Sequence, residues 1–285
     1  MTETVTVLGT GIMGSGIARS LAREGFAVRA WNRSPEKAGP LKEAGVTVVL
    51  DAADAVSGAD VVLTMLFDAQ AVAQVMERVL PHMAGAVWVQ SSTIGLEATE
   101  RFSQMAESRG IAYVDAPVLG TKQPAENGRL VVIAGGPPAL RTRTAPLFDA
   151  IGARTVWAGE RPGDGQRLKL AANAWVLSLV AGAAQSIGLA AGLGLDPRLF
   201  LEAVSGGPLD CGYLQVKGDA MITGEFEPSF ALDGALKDSG LILEAMAAAG
   251  TDDRLMRSLV SELETASRSG HGAEDMAAVV HAFRR

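Results

Sequence analysis

The sequence predicts an α/β N-terminal domain with a mostly parallel sheet, followed by an all-α C-terminal domain. Three observations predict this. Short β-branched runs alternate with helical stretches through the first half. A glycine-rich turn joins the first run to the first helix. No convincing strand follows the Gly/Pro segment Gly159-Glu160-Arg161-Pro162-Gly163-Asp164-Gly165. The length of 285 residues agrees with two domains, at about 150 residues each. The Gly/Pro segment divides them, as residues 1–162 and 163–285.

Eight runs read as strands: Val5–Leu8, Ala27–Trp31, Thr47–Leu50, Asp60–Met65, Ala86–Gln90, Ala112–Val114, Leu130–Ala134 and Arg154–Trp157. Continuous apolar runs alternating with helices imply a parallel sheet covered on both faces. Beyond the boundary, helical patterns cover Gln166–Leu193, Pro197–Val204, Leu209–Ile222, Phe230–Ala249, Asp253–Ser269 and Ala273–Arg284. Asn173–Leu195 is apolar enough to raise the question of a membrane span. Its small residues, with Ser178, Gln185 and Ser186, favour a long helix buried between domains or subunits.

Composition narrows the function. Hydrophobic residues make up 48% and charged residues 20%, which excludes intrinsic disorder. A net charge of −7 with no basic block argues against a nucleic-acid binder. Cys211 is the single cysteine, so it forms no internal disulfide, and a small buried or half-buried thiol is expected. His82, His271 and His281 show no metal-ligand spacing, and no metal is expected. No targeting segment is evident at the start, so the expected location is cytoplasmic.

Gly9-Thr10-Gly11-Ile12-Met13-Gly14 fits G-x-G-x-x-G between a strand and a helix. This is the context in which the motif binds a dinucleotide. Gly9 allows the tight turn, Gly11 lets backbone approach a pyrophosphate, and Gly14 permits close helix packing. The helix start then offers N–H groups to the anion. The second strand ends in Asn32-Arg33-Ser34, without the acid that would hold a ribose 2′-OH. Arg33 suits a 2′-phosphate and Ser34 adds a hydroxyl, so NADP(H) is expected over NAD(H).

Lys169 and Asn173 stand four residues apart, on one face of a helix. Spacing alone leaves two readings open: a solvated face, or a lysine that donates a proton to a developing alkoxide with the asparagine orienting it. Lys237-Asp238 on a later apolar helix is by itself uninformative.

Together these segments resemble the β-hydroxyacid dehydrogenase family, which includes 3-hydroxyisobutyrate dehydrogenases and glyoxylate/succinic semialdehyde reductases. The motifs are LGTGIMGSGIA, Met65-Leu66, Ser92-Thr93-Ile94, DAPVLGTKQPAENGRLVVIAGG (Asp115 to Gly136), GDGQRLKLAANAW and FALDGALKD. TKQPAENG is especially similar to the glyoxylate/succinic semialdehyde reductase branch. The resemblance implies a Rossmann domain, a long interdomain helix and a helical domain like that of 6-phosphogluconate dehydrogenases, with assembly as a homodimer or homotetramer through the C-terminal helices. It implies cofactor contacts at Met65, Leu66, Thr93 and Lys237. Leu119, Gly120 and Thr121 then hold a small carbonyl substrate, and Lys169 and Asn173 are catalytic. It departs from many members at Phe67 (Pro), Leu119 (Ser) and Ala172 (Asn). The expected activity is NADPH-dependent reduction of a small aldehyde or keto acid. The alternatives are an imine reductase, disfavoured by Lys169, and a non-catalytic NADPH-binding module, disfavoured by Lys169 with Asn173.

Overall fold

The computed structural model describes residues 2–283. Its nine strands are β1 (Thr4–Leu8), β2 (Ala27–Trp31), β3 (Thr47–Val48), β4 (Val61–Thr64), β5 (Val87–Gln90), β6 (Ala112–Asp115), β7 (Val118–Leu119), β8 (Leu130–Gly135) and β9 (Gly152–Gly159). They form one sheet in the order β3-β2-β1-β4-β5-β6-β8-β7, with β9 beside β8. Pairing is parallel from β3 through β6. This is the doubly wound order, with its switch point between β1 and β4.

Beyond β6 the sheet changes sense. β8 runs antiparallel to β6 and β7 and parallel to β9. The sequence pattern misses β7, which is two residues long between Pro117 and Gly120. A proline lacks the N–H that a ladder uses, and its carbonyl instead accepts from Ile133 N. β3 stops two residues short of its expected end, and β9 begins two residues earlier.

The continuous apolar runs have a physical cause. Successive strand residues point to opposite faces, and both faces are covered. Val5, Val7 and Val87 pack with Ile17 and Leu21 of the helix Ile12–Arg23 and with Phe148. Val62, Trp88 and Tyr113 pack on the other side with Val72, Met76 and Phe102. Trp88 meets Tyr113 edge-on at 5.0 Å, and its indole N–H donates to Thr64 Oγ1 at 3.0 Å.

The helix Asp164–Gly192 links this domain to an all-helical one. The described chain divides into two compact units, Met1–Lys169 and Leu170–Arg285, so the division falls within that helix. The second unit continues with helices Arg198–Val204, Gly212–Thr223, Leu232–Ala249 and Arg254–Ala266. The final expected helix takes another form. A π-type turn, Ser267–His271, contains Gly270 at φ +99°, and a 3₁₀ helix, Met276–Phe283, follows. Glycine adopts that backbone at little steric cost, and it breaks the helical pattern there. Cys211 is exposed, contrary to the expected burial. It caps the helix Gly212–Thr223, its Sγ accepting from Leu214 N at 3.4 Å.

In the helical unit Lys217 Nζ pairs with Asp275 at 2.6 Å, both side chains 4% exposed. Asp275 also accepts from Ser229 N and Oγ, Phe230 N and Ala277 N. By length and composition the linking helix suffices to cross a membrane; one third of its most apolar window is buried within the chain.

Candidate active site

The glycine turn sits at the C-terminal end of β1, at the switch point, where open α/β sheets bind ligands. Gly9 has φ +102°, and a Cβ there would collide with the Met65 carbonyl. A Cβ on Gly14 would overlap the Gly9 carbonyl, whereas one on Gly11 would meet nothing within 4 Å. Gly9 and Gly14 are therefore required by packing, and Gly11 leaves open space at the turn. The following helix starts at Ile12 with no side-chain cap, so Ile12 and Met13 lie at an uncapped, positive helix end. Thr10 Oγ1 is buried without a hydrogen-bond partner. Open space, an uncapped helix start and an orphaned hydroxyl suit the pyrophosphate of a dinucleotide.

Asn32 ties this turn to the end of β2. Its Oδ1 accepts from Thr10 N at 3.0 Å, and its Nδ2 donates to the Ser34 carbonyl at 3.0 Å. Between them Arg33 is exposed and makes no ion pair among the described residues. Met65 and Leu66 follow β4, and Leu66 N donates to Ser92 Oγ at 2.8 Å. Thr93 lies one residue beyond Ser92, half-buried. The segment Ser92–Ile94 is held by two glutamines. Gln90 accepts from Ser92 N at 2.7 Å, and Gln166 donates to Ser92 O at 2.9 Å and accepts from Ile94 N at 3.3 Å.

Gln166 in turn rests on Asp115, at the end of β6. This carboxylate is fully buried. It accepts from Gly163 N at 3.1 Å, Gln166 N at 2.8 Å and Gln166 Nε2 at 3.2 Å. Asp115 thus caps the linking helix from across the sheet. Burial pushes its carboxyl up to about 7, against the pull of these hydrogen bonds. Motif reasoning assigned no role to Asp115 or Gln166, although both lie inside the quoted segments. Their signal is chemical: an acid and an amide in apolar surroundings need partners.

Lys169 lies one turn along the same helix and is 9% exposed. Its Nζ donates to the Val118 carbonyl at 2.8 Å. Val118 immediately precedes Leu119, Gly120 and Thr121, so the lysine is tied to the strand that carries that segment. Gly120 has φ +118°, and a Cβ there would press on Leu130 and Pro124. Leu119 and Thr121 are half-buried and Gly120 is exposed.

In the helical unit Asn173 is buried and donates from Nδ2 to Asp238 Oδ2 at 2.7 Å. Lys237 Nζ pairs with Asp238 Oδ1 at 2.6 Å. The structure thus joins Asn173 and Lys237 through one buried carboxylate. The bridging role of Asp238 was not legible from its adjacency to Lys237.

Residues 4–159 match the sequence model described as the NAD-binding domain of 6-phosphogluconate dehydrogenase. Residues 163–283 match that described as the NAD-binding domain of NADP-dependent 3-hydroxyisobutyrate dehydrogenase. The chain is 30% identical to glyoxylate/succinic semialdehyde reductase 2 (chloroplastic) of Arabidopsis thaliana, over 99% of this chain and 80% of the relative. It is also 30% identical to reductase 1 of that plant, over 98% of each. A solved Mycobacterium tuberculosis 3-hydroxyisobutyrate dehydrogenase with L-serine superposes with a TM-score of 0.86, at 28% identity over 100% of both chains. With the doubly wound sheet, the glycine turn and the helical second domain, these matches establish that the chain belongs to the β-hydroxyacid dehydrogenase family of NAD(P)-dependent oxidoreductases.

Proposed function

We propose that this chain is an NADPH-dependent reductase of a small aldehyde or keto acid, with Lys169 as its general acid. The observation that carries the reading is the Lys169–Val118 bond of 2.8 Å. It holds a nearly buried ammonium against the backbone that leads into Leu119, Gly120 and Thr121. When bound, the nicotinamide supplies the hydride. Lys169 hands a proton to the substrate oxygen as negative charge develops there, and stabilising that charge lowers the barrier. Asn173, one turn along the same helix, orients the lysine or the oxygen, and Asp238 fixes its amide. The backbone N–H groups of Gly120 and Thr121, with the Thr121 hydroxyl, receive the substrate carboxylate. Leu119 supplies an apolar wall there.

Gly9, Thr10, Gly11, Ile12, Met13 and Gly14 would hold the cofactor's pyrophosphate, and Met65, Leu66, Thr93 and Lys237 would supply further cofactor contacts. Arg33 and Ser34, beside the anchored Asn32, select the 2′-phosphate; a guanidinium pairs with phosphate through two parallel hydrogen bonds. Support also comes from the match of residues 163–283 to a family described as NADP-dependent. In this reading residues 1–162 are the NADP-binding domain, and 163–285 are the helical substrate and oligomerisation domain. Trp175, Leu189, Leu193 and Leu195 are each more than half exposed, and we assign that apolar surface to a homodimer or homotetramer contact. The expected compartment is the cytoplasm.

The test is NADPH consumption by purified protein over glyoxylate, succinic semialdehyde, methylglyoxal, 2-methyl-3-oxopropanoate and one cyclic imine. Turnover of an acid aldehyde with NADPH favoured over NADH supports the reading. Turnover of the imine alone, or cofactor binding without turnover of any substrate, contradicts it.

A further inference from the structure

The sequence separates His271 and His281 by ten positions, but the fold stacks them. Their rings lie parallel within 8° at a centroid distance of 4.0 Å. Glu274 closes the group, with its carboxylate 2.9 Å from His271 Nδ1. One ligand atom from each of the three lies within 4.8 Å of the others, and all three side chains are half-buried. From this cluster we infer a binding site for a divalent transition-metal ion, formed by His271, Glu274 and His281. It stands apart from the reductase reading and draws on none of its residues.

The donor set selects the ion. Two imidazoles and one carboxylate suit a borderline cation such as Zn²⁺, which binds nitrogen and oxygen at about 2.0–2.2 Å and accepts water in a fourth position. Calcium and magnesium favour all-oxygen sites. The backbone is held before any ion arrives. Glu274 N donates to His271 O at 3.1 Å, Leu232 N donates to Glu274 O at 2.9 Å, and Asp275 N donates to Phe226 O at 3.0 Å. Next to Glu274 in sequence, Asp275 is clamped by Lys217 and Ser229. Phe226 stands edge-on to His281 at 5.2 Å, giving the site an apolar wall. Binding requires the stacked imidazoles to tilt toward each other, so that their ring nitrogens converge beside the carboxylate. The ion then cross-links the turn Ser267–His271 to the last helix, Met276–Phe283.

The test uses full-length, tag-free protein stripped with a chelator. ZnCl₂ binding is followed by calorimetry and the melting midpoint, and CoCl₂ binding by visible absorption. The expected result is about one ion per chain, with a raised midpoint and cobalt bands in the visible. His281→Gln and Glu274→Gln should each weaken binding by more than about 100-fold, beyond the 10–100-fold cost of losing a mere support to a ligand. His82→Gln, at the remaining histidine, should bind as the parent does. Metal-free melting of each variant establishes that it is folded, and the cobalt spectrum of the parent needs no variant. Absence of saturable binding to the parent overturns the proposal. So does binding that survives His281→Gln, or binding that His82→Gln abolishes.

Discussion

The sheet domain buries Asp115 and the helical unit buries Asp275, and these two aspartates are held in opposite ways. Asp115, in the sheet domain, receives neutral donors, from Gly163, Gly165 and Gln166. Asp275, in the helical unit, receives neutral donors and the Lys217 ammonium. Burial pushes both carboxyls up. At Asp115 burial wins, and the value rises to about 7. At Asp275 the bonds from Lys217, Ala277 and Ser229 outweigh burial and bring the carboxyl below its ordinary value of 3.8. Neutral donors satisfy lone pairs but return little of the lost hydration; a cation at contact returns more. Asp275 with Lys217 therefore anchors a fold. Asp115 holds the start of the helix that carries Lys169, at the edge of the proposed chemistry.

The sharpest break in that comparison is Lys217→Met. It strands Asp275 in the interior, and removing one partner of a buried pair costs about 3–5 kcal/mol. A large fall in the denaturant midpoint is expected, and an unchanged midpoint would mean the pair is not needed. Lys169→Ala is the counterpart in the sheet domain. Turnover should fall by about 10²-fold or more, with the melting midpoint and NADPH binding little changed.

The pH dependences should have opposite signs. Asp115 binds its proton more tightly in the folded state. Its contribution to stability is present at low pH and declines as pH rises from 3.8 towards about 7. Asp275 contributes above the ordinary carboxylate value, and that contribution is lost as pH falls through its lowered value. Asp115→Asn should flatten the decline towards neutrality and leave the acid limb in place. Melting midpoints from pH 4 to 8 for parent and variant check this. The smallest effect is expected at exposed Arg33. Arg33→Ala should raise the KM for NADPH by about tenfold, the scale of a lost charge-assisted contact, and leave the KM for NADH nearly unchanged.

The sheet domain was the more legible of the two. Periodicity marks strands whose two faces are both buried, and Gly9 and Gly14 report close backbone approaches that only glycine allows. Short or interrupted elements escaped it. β7 is two residues beside Pro117, and the last helix is wound as 3₁₀. The helical unit gave its helices by composition, but not which polar groups meet. Asp238 between Asn173 and Lys237, Asp115 beneath Gln166, and the stacked His271 and His281 all depend on long-range packing. Spacing along the chain carries no signal for contacts of that kind. Lys169 was ambiguous from its i, i+4 spacing, and the resemblance gave it a role. The structure adds its burial and its bond to Val118.

The central claim is that the lysine bonded to Val118, at the start of the segment 118–121, protonates a carbonyl oxygen. It is tested most directly by NADPH oxidation with glyoxylate and succinic semialdehyde, comparing the parent with Lys169→Ala at saturating cofactor. The account predicts turnover by the parent and its loss by about 10²-fold or more in the variant, with NADPH still bound. Parent-level turnover in the variant would contradict it.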